Sequence, residues 1–97
     1  MPRILFTPEA EKEILDSFFW YENEREGLGQ SFKLCLDAAL SSISRNPNFS
    51  SFVYKKIRSA KMEKFPYTIM YRIVDEQIQI IAVFHQSRNP KIWKKRM

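Results

Sequence analysis

Apolar positions recur along this chain at two different periods, and the point where the period changes divides it. Arg3-Ile4-Leu5-Phe6 is a short apolar run that predicts a first strand. Thr7-Pro8-Glu9 then opens a helix. Thr supplies an N-cap oxygen, Pro fits the first helical position because its missing N–H is not needed there, and Glu suits the positive end of the dipole. Ala10, Ile14, Phe18 and Tyr21 share one face to about Arg25, widened by Leu15 and Phe19, with Glu11, Lys12 and Asp16 off it. Gly27-Leu28-Gly29 breaks the pattern. Leu28, Phe32, Leu36, Ala39, Leu40 and Ile43 predict a second helix ending at Asn46-Pro47, because the residue before proline is pushed out of the helical region. So short a connection predicts an antiparallel helical hairpin.

From there the period falls to two. Phe65, Tyr67, Ile69, Tyr71 and Ile73 alternate on one face of a strand. Residues 77–84 alternate likewise, with Ile78, Ile80, Ala82 and Phe84 on one face and Ile81 and Val83 on the other, which predicts cover on both sides. Asp75-Glu76 lies between the runs as a hairpin turn. Residues 53–60 read as one further strand. A strand, two helices and a three-stranded meander make an α+β fold in which the helix pair covers one face of the sheet.

The chain has 97 residues, 44% of them hydrophobic, which predicts one domain over 1–97 with enough apolar side chains for a core and a basic tail over 91–97. Cys35 is the only cysteine, so no internal disulfide is expected; no Cys/His cluster has metal-ligand spacing, and no cofactor is implied. The absence of a long apolar run and of a secretory leader pattern predicts a cytoplasmic protein without a membrane span. Charge changes the picture more. Residues 1–50 hold five Lys/Arg against eight Asp/Glu, net −3, and residues 51–97 hold eleven against three, net +8. A half this basic suits an anionic partner such as nucleic acid, the ribosome or an acidic protein segment, or it is simply a solvated face.

The order of elements and the residues at their joints resemble the RelE/ParE superfamily. The resemblance runs through Ile4-Leu5-Phe6-Thr7-Pro8-Glu9-Ala10 to Trp20-Tyr21, through Gly27-Leu28-Gly29-Gln30-Ser31-Phe32, and through Asn46-Pro47. It continues through Ile57-Arg58, Phe65-Pro66-Tyr67 and Tyr71-Arg72. The ending Ala82-Val83-Phe84-His85, with Arg88, Pro90, Trp93 and Arg96, resembles the plasmid-stabilisation branch. The resemblance covers nearly the whole chain and implies a β-α-α-β-β-β fold, a helical hairpin on a small, twisted, mainly antiparallel sheet. It also implies the toxin of a type II toxin–antitoxin system, held in a hetero-oligomer by a cognate antitoxin whose acidic amphipathic segment folds onto it.

Two activities go with that resemblance, and a fold does not choose between them. RelE-like members cut messenger RNA on the ribosome without a metal; ParE-like members bind DNA gyrase and trap it on cleaved DNA. Metal-free cleavage needs a base for the 2′-hydroxyl, cations for the phosphorane and an acid for the leaving oxygen. Arg58, Arg72, His85 and Arg88 are the candidates, and the predicted strands would let them converge at one sheet end. Each also has a structural alternative: ion pairing or solvation for the arginines, a backbone hydrogen bond at the strand end for His85. Lys55, Lys56, Arg58, Arg72, His85, Arg88, Trp93 and Arg96 are the candidate contacts to a macromolecular target, Trp93 being alternatively a lid on the sheet. No Tyr follows Tyr71, whereas RelE-like enzymes often carry a late catalytic Tyr. That departure and the His85…Arg88…Pro90…Trp93 ending favour a ParE-like gyrase poison. A RelE-like ribosome-dependent mRNA endonuclease is the alternative, and a nucleic-acid-binding module or an inactive toxin homologue the third reading.

Overall fold

A computed structural model describes residues 2–88 together with Arg96. The elements in chain order are β1 (Ile4–Phe6), α1 (Pro8–Glu24), α2 (Leu28–Arg45), β2 (Phe52–Tyr54), β3 (Ile57–Lys61), β4 (Tyr67–Val74) and β5 (Gln77–His85). They form a five-stranded sheet in the order β1-β5-β4-β3-β2. β1 runs parallel to β5, with Ile4 opposite Ile78, and the other neighbours are antiparallel. The expected α+β layout is therefore present, with one strand more than the sequence pattern gave. Residues 53–60 are not one strand but parts of two, joined by a turn at Lys55-Lys56. Lys55 adopts φ +49° there, a backbone state usually signalled by Gly or Asn. Lysine gives no such signal. At the β4–β5 hairpin Asp75 and Glu76 both have positive φ, +51° and +64°, and form the turn expected of them.

The helical hairpin is built from local devices. The Thr7 hydroxyl accepts from the Ala10 N–H at 3.2 Å and caps α1 as its sequence position predicts. Gly27 turns the chain at φ +87°. Glu22 then reaches forward, its carboxylate accepting from the N–H groups of Gly27 and Gly29 at 3.0 Å each, so one helix caps the next. Gly29 is required by close approach: a Cβ there would lie 2.7 Å from the Phe18 carbonyl oxygen.

Phe32, Leu36, Leu40 and Ile43 of α2 and Ala10 of α1 pack on Tyr67, Ile69, Tyr71, Ile78, Ile80 and Val83 to form the main core. A smaller cluster of Ile57, Met70, Ile81 and Ala82 lies apart from it, with Tyr54 and Phe84 packed against it. Since Ile69 and Tyr71 flank Met70 on β4, strand alternation puts this second cluster on the face away from the helices. The simple alternation expected for β5 does not hold along its length. Met70 faces Ala82 but Tyr71 faces Ile80, so Ile81 is an extra residue, a bulge in β5. Beyond it the faces exchange, and Val83 rather than Ala82 enters the main core. Ile73, expected on the buried face, is exposed near the hairpin tip.

Candidate functional site

Arg58 lies on β3 opposite Tyr71, and both side chains reach the loop that follows α2. The buried Tyr71 hydroxyl donates to the Pro47 carbonyl at 2.8 Å. One guanidinium nitrogen of Arg58 donates to the carbonyls of Asn48, at 3.0 Å, and of Ser50. The guanidinium also sits 3.9 Å from the centroid of the Phe52 ring, a cation–π geometry. Three carbonyls of this loop, those of Pro47, Asn48 and Ser50, are thus held by two side chains. Arg58 is a clamp on this loop, facing the helix side of the sheet.

The cations near the end of β5 are organised by an acid from α1. Arg96 grips Glu13 through two bonds of 2.9 and 3.0 Å and donates to the Ile81 carbonyl at 3.1 Å. Arg88 stands 3.9 Å from the same carboxylate. Glu13 also accepts from the Val83 N–H at 3.0 Å, and the Thr7 hydroxyl donates to the Ile81 carbonyl at 3.2 Å. These are backbone groups on the flank of β5 beyond the reach of the three-residue β1. Glu13 and Arg96 side chains are only 11% and 16% exposed, and the bond to Glu13 raises the Arg96 pKa above its ordinary value despite burial. Glu13 was absent from the sequence candidates. Its signal was there: it stands three residues from Ala10 on the buried side of the helix, where a carboxylate requires a partner.

His85 faces Tyr67 across β4, its ring 5.4 Å from the tyrosine ring, at the margin of an aromatic cluster with Tyr21, Phe32 and Phe65. Its Nδ1 lies 3.1 Å from the Ser87 N–H and 2.8 Å from the Ser87 hydroxyl. This is the backbone bond at the strand end that stood as the alternative to catalysis. Within the cluster, burial first and then Tyr67 push the Tyr21 hydroxyl up to about 12.

Arg72 donates to Gln79 at 2.7 Å on the opposite face of the sheet. By strand register it is five residues from Tyr67, so about 16 Å separate the His85 and Arg72 positions along the sheet. The convergence of Arg58, Arg72, His85 and Arg88 at one sheet end is therefore not found. Arg58 faces the α2 loop, Arg72 faces away from the helices, His85 lies against Tyr67, and Arg88 lies beside Glu13. In the antiparallel β4–β5 pair, Arg72 late in β4 and His85 at the end of β5 lie toward opposite ends of the sheet. Lys55 and Lys56 are exposed at the β2–β3 turn, with Lys55 Nζ 5.2 Å from the Tyr54 ring centroid. Trp93 lies outside the described residues. Among the described residues no three His, Cys, Asp or Glu side chains are placed to hold a metal ion, and no helix is long and apolar enough to cross a membrane.

An open groove of about 940 Å³ lies between α2, the loop after it and β3. Sequence patterning did not mark it: only Ala39 and Ile43 of its lining fall on the apolar stripe read for α2, and the serines, Asn46 and charged residues beside them follow no period.

Residues 4–90 match the family model for the ParE toxin of the parDE type II toxin–antitoxin system. The chain is 30% identical over 82 residues to Toxin ParE2 of Mycobacterium tuberculosis, covering 84% of this chain and 78% of the relative. Among solved structures it is similar to the chromosomal ParDE system of P. aeruginosa, with a TM-score of 0.77 at 13% identity over 88% of this chain and 96% of the other. It is also similar to the intact E. coli RelBE toxin–antitoxin complex, with a TM-score of 0.68 at 17% identity over 91% and 100%. At these identities the structural likeness speaks for the fold.

Proposed function

This chain belongs to the ParE toxin family of type II toxin–antitoxin systems, and from that premise we propose that it inhibits growth by poisoning DNA gyrase and is neutralised by a cognate antitoxin. The observation that carries the choice of gyrase over messenger RNA is the dispersal of the cleavage candidates. Cutting one phosphodiester without a metal needs base, acid and cations within reach of the same phosphate, a few ångströms apart. Arg58 is engaged by loop carbonyls, His85 by Ser87, and Arg72 lies on the other face about 16 Å along the sheet. A binding protein has no such requirement. Cations spread over a broad surface suit a large target contacted at many points. In this reading Lys55, Lys56 and Arg72, all exposed, meet the target; Arg88 adds charge near the β5 end; Arg58, His85 and Arg96 act by shaping the surface. The cytoplasm, where gyrase works, is the compartment the reading requires.

Induction of the chain alone in a bacterial cell, followed by two readouts, tests the proposal. The expected result is a DNA-damage response and gyrase trapped on cleaved DNA, with messenger RNA intact, all relieved when the antitoxin is supplied. Rapid cleavage of translated messages, abolished by His85→Ala or Arg72→Ala, would replace it with the ribosomal endonuclease.

A further inference from the structure

One row of side chains crosses all five strands near the β4–β5 hairpin, on the face turned away from the helices. Ile4 and Phe6 pack on the main core, so Leu5 between them points to the other face; Gln79 lies likewise between Ile78 and Ile80. Leu5 stands opposite Gln79 and Gln79 opposite Arg72. Across β3 and β2 the row continues through Ile57, opposite Tyr54 and next to the Arg58–Tyr71 pair. Five strands at the usual spacing make it about 20 Å wide. The Lys55-Lys56 turn closes one end of the row, and Lys55 Nζ leans toward the Tyr54 ring, 5.2 Å from its centroid. Val74, two residues beyond Arg72, shares its face.

Two properties set this row apart. Its apolar members at the hairpin side stand open: Leu5 is 37% and Val74 41% exposed. Between them Arg72 is aimed. Its Nε donates to the Gln79 side-chain oxygen at 2.7 Å, which leaves the two terminal nitrogens as an end-on fork, the geometry that holds a carboxylate through two parallel bonds. Among the described residues no carboxylate stands within ion-pair distance of Arg72, Lys55 or Lys56. The fork is thus oriented and its charge uncancelled.

The surroundings of the fork choose the partner. A phosphodiester backbone gains nothing from an exposed leucine and valine, and the exposed Asp75-Glu76 tip beside them repels it. A polypeptide surface with a carboxylate set among apolar side chains complements both features. We infer that this row binds the gyrase polypeptide rather than its DNA, with Arg72 taking a gyrase carboxylate between Leu5 and Val74 and Gln79 serving as the positioning residue for Arg72. The inference rests on the gyrase reading and names the part of that target that is touched. It adds Leu5, Val74 and Gln79, none of them a candidate from the sequence, to the cations already assigned.

Titration of the chain against purified gyrase free of DNA, and separately against a short DNA duplex, tests it. The parent should bind the protein tightly and the duplex only weakly, with the steep salt dependence of any basic surface. Arg72→Lys, which keeps the charge but not the fork, should weaken gyrase binding about tenfold. Gln79→Glu should weaken it about as much with no fall in melting temperature, because a carboxylate there occupies Arg72 itself. Gln79→Ala should cost about fivefold in the parent and almost nothing in an Arg72→Ala background, as a residue acting through Arg72 alone must. Val74→Asp should cost about tenfold with the fold retained, since the position is exposed. Gyrase binding that is tight in the parent and unchanged in Gln79→Glu and Val74→Asp overturns this inference alone. Duplex binding that is tight and carries the whole loss in Arg72→Lys, while DNA-free gyrase binds that variant as well as the parent, assigns the row to DNA and overturns it too. A parent chain that binds no gyrase overturns the reading beneath it as well.

Discussion

Each flank of this sheet is fastened by an arginine, and the two fastenings work by different physics. On the β5 flank Arg96 meets a carboxylate, Glu13, in a site where both are largely buried and where Glu13 also holds a strand N–H. On the β3 flank Arg58 meets only neutral carbonyls and an aromatic face. The first arrangement cancels charge, so it is stable as a pair and costly when halved. The second leaves the positive charge uncancelled at the surface, so it orders a loop and still contributes to the field of the basic half. The charges of the +8 half are therefore not equivalent. On the proposed function, the cations that meet the target are those without a carboxylate partner, such as Lys55, Lys56 and Arg72 on the β2–β3–β4 side.

Breaking the pair gives the largest expected effect. Glu13→Ala strands Arg96 and the Val83 N–H together, and a loss of about 3–5 kcal/mol is expected from a broken buried pair. In a domain this small that lowers the melting temperature by roughly 15 °C or more. Hydrogen exchange should rise first at residues 81–83. Arg58→Ala should cost less, about 2 kcal/mol, because the carbonyls it leaves can turn to water, and its exchange increase should fall on residues 46–51. Equal losses from the two substitutions in urea unfolding would erase the contrast drawn between the flanks. Tyr71→Phe removes one of the three side-chain bonds to this loop's carbonyls and should cost about 1 kcal/mol. Replacing Arg72 by Ala, where the exposed side chain meets only Gln79, should stay within about 0.5 kcal/mol while reducing growth inhibition.

A pH experiment probes the aromatic cluster between the flanks. Tyr21 is pushed from 10.0 up to about 12, chiefly by burial. A raised value in the folded state means that its contribution is fully present below pH 10 and is lost as pH climbs from 10 through about 12. The parent should therefore lose stability more steeply than Tyr21→Phe across that window. Parallel curves would mean that Tyr21 ionises as freely folded as unfolded.

The helical hairpin was legible residue by residue. Its cap at Thr7, its break at Gly27 and its end at Asn46-Pro47 are all local events, each decided by the side chains within a few positions. The sheet was legible only where its turns carry familiar residues. The lysine turn at Lys55-Lys56 hid a strand, and the bulge at Ile81 exchanged the faces of β5 without changing its composition. The candidate site was the least legible, because the face and end of the sheet on which each cation falls are set by strand register.

What the sequence determined by itself was therefore the fold class, every element in order except the strand hidden at β2, the basic half and the family, since periodicity, caps and joint motifs are short-range and additive. What only the tertiary structure decided was the work of each cation. Arg58, Arg72, Arg88 and Arg96 look alike in the chain, and they differ because folding brings Arg58 carbonyls 8 to 10 residues away, Arg72 an amide seven away, and Arg88 and Arg96 a carboxylate 75 and 83 residues away. A guanidinium carries the same charge everywhere, and its partner, fixed by packing at long range, determines whether that charge is cancelled, used to hold backbone, or left for a target.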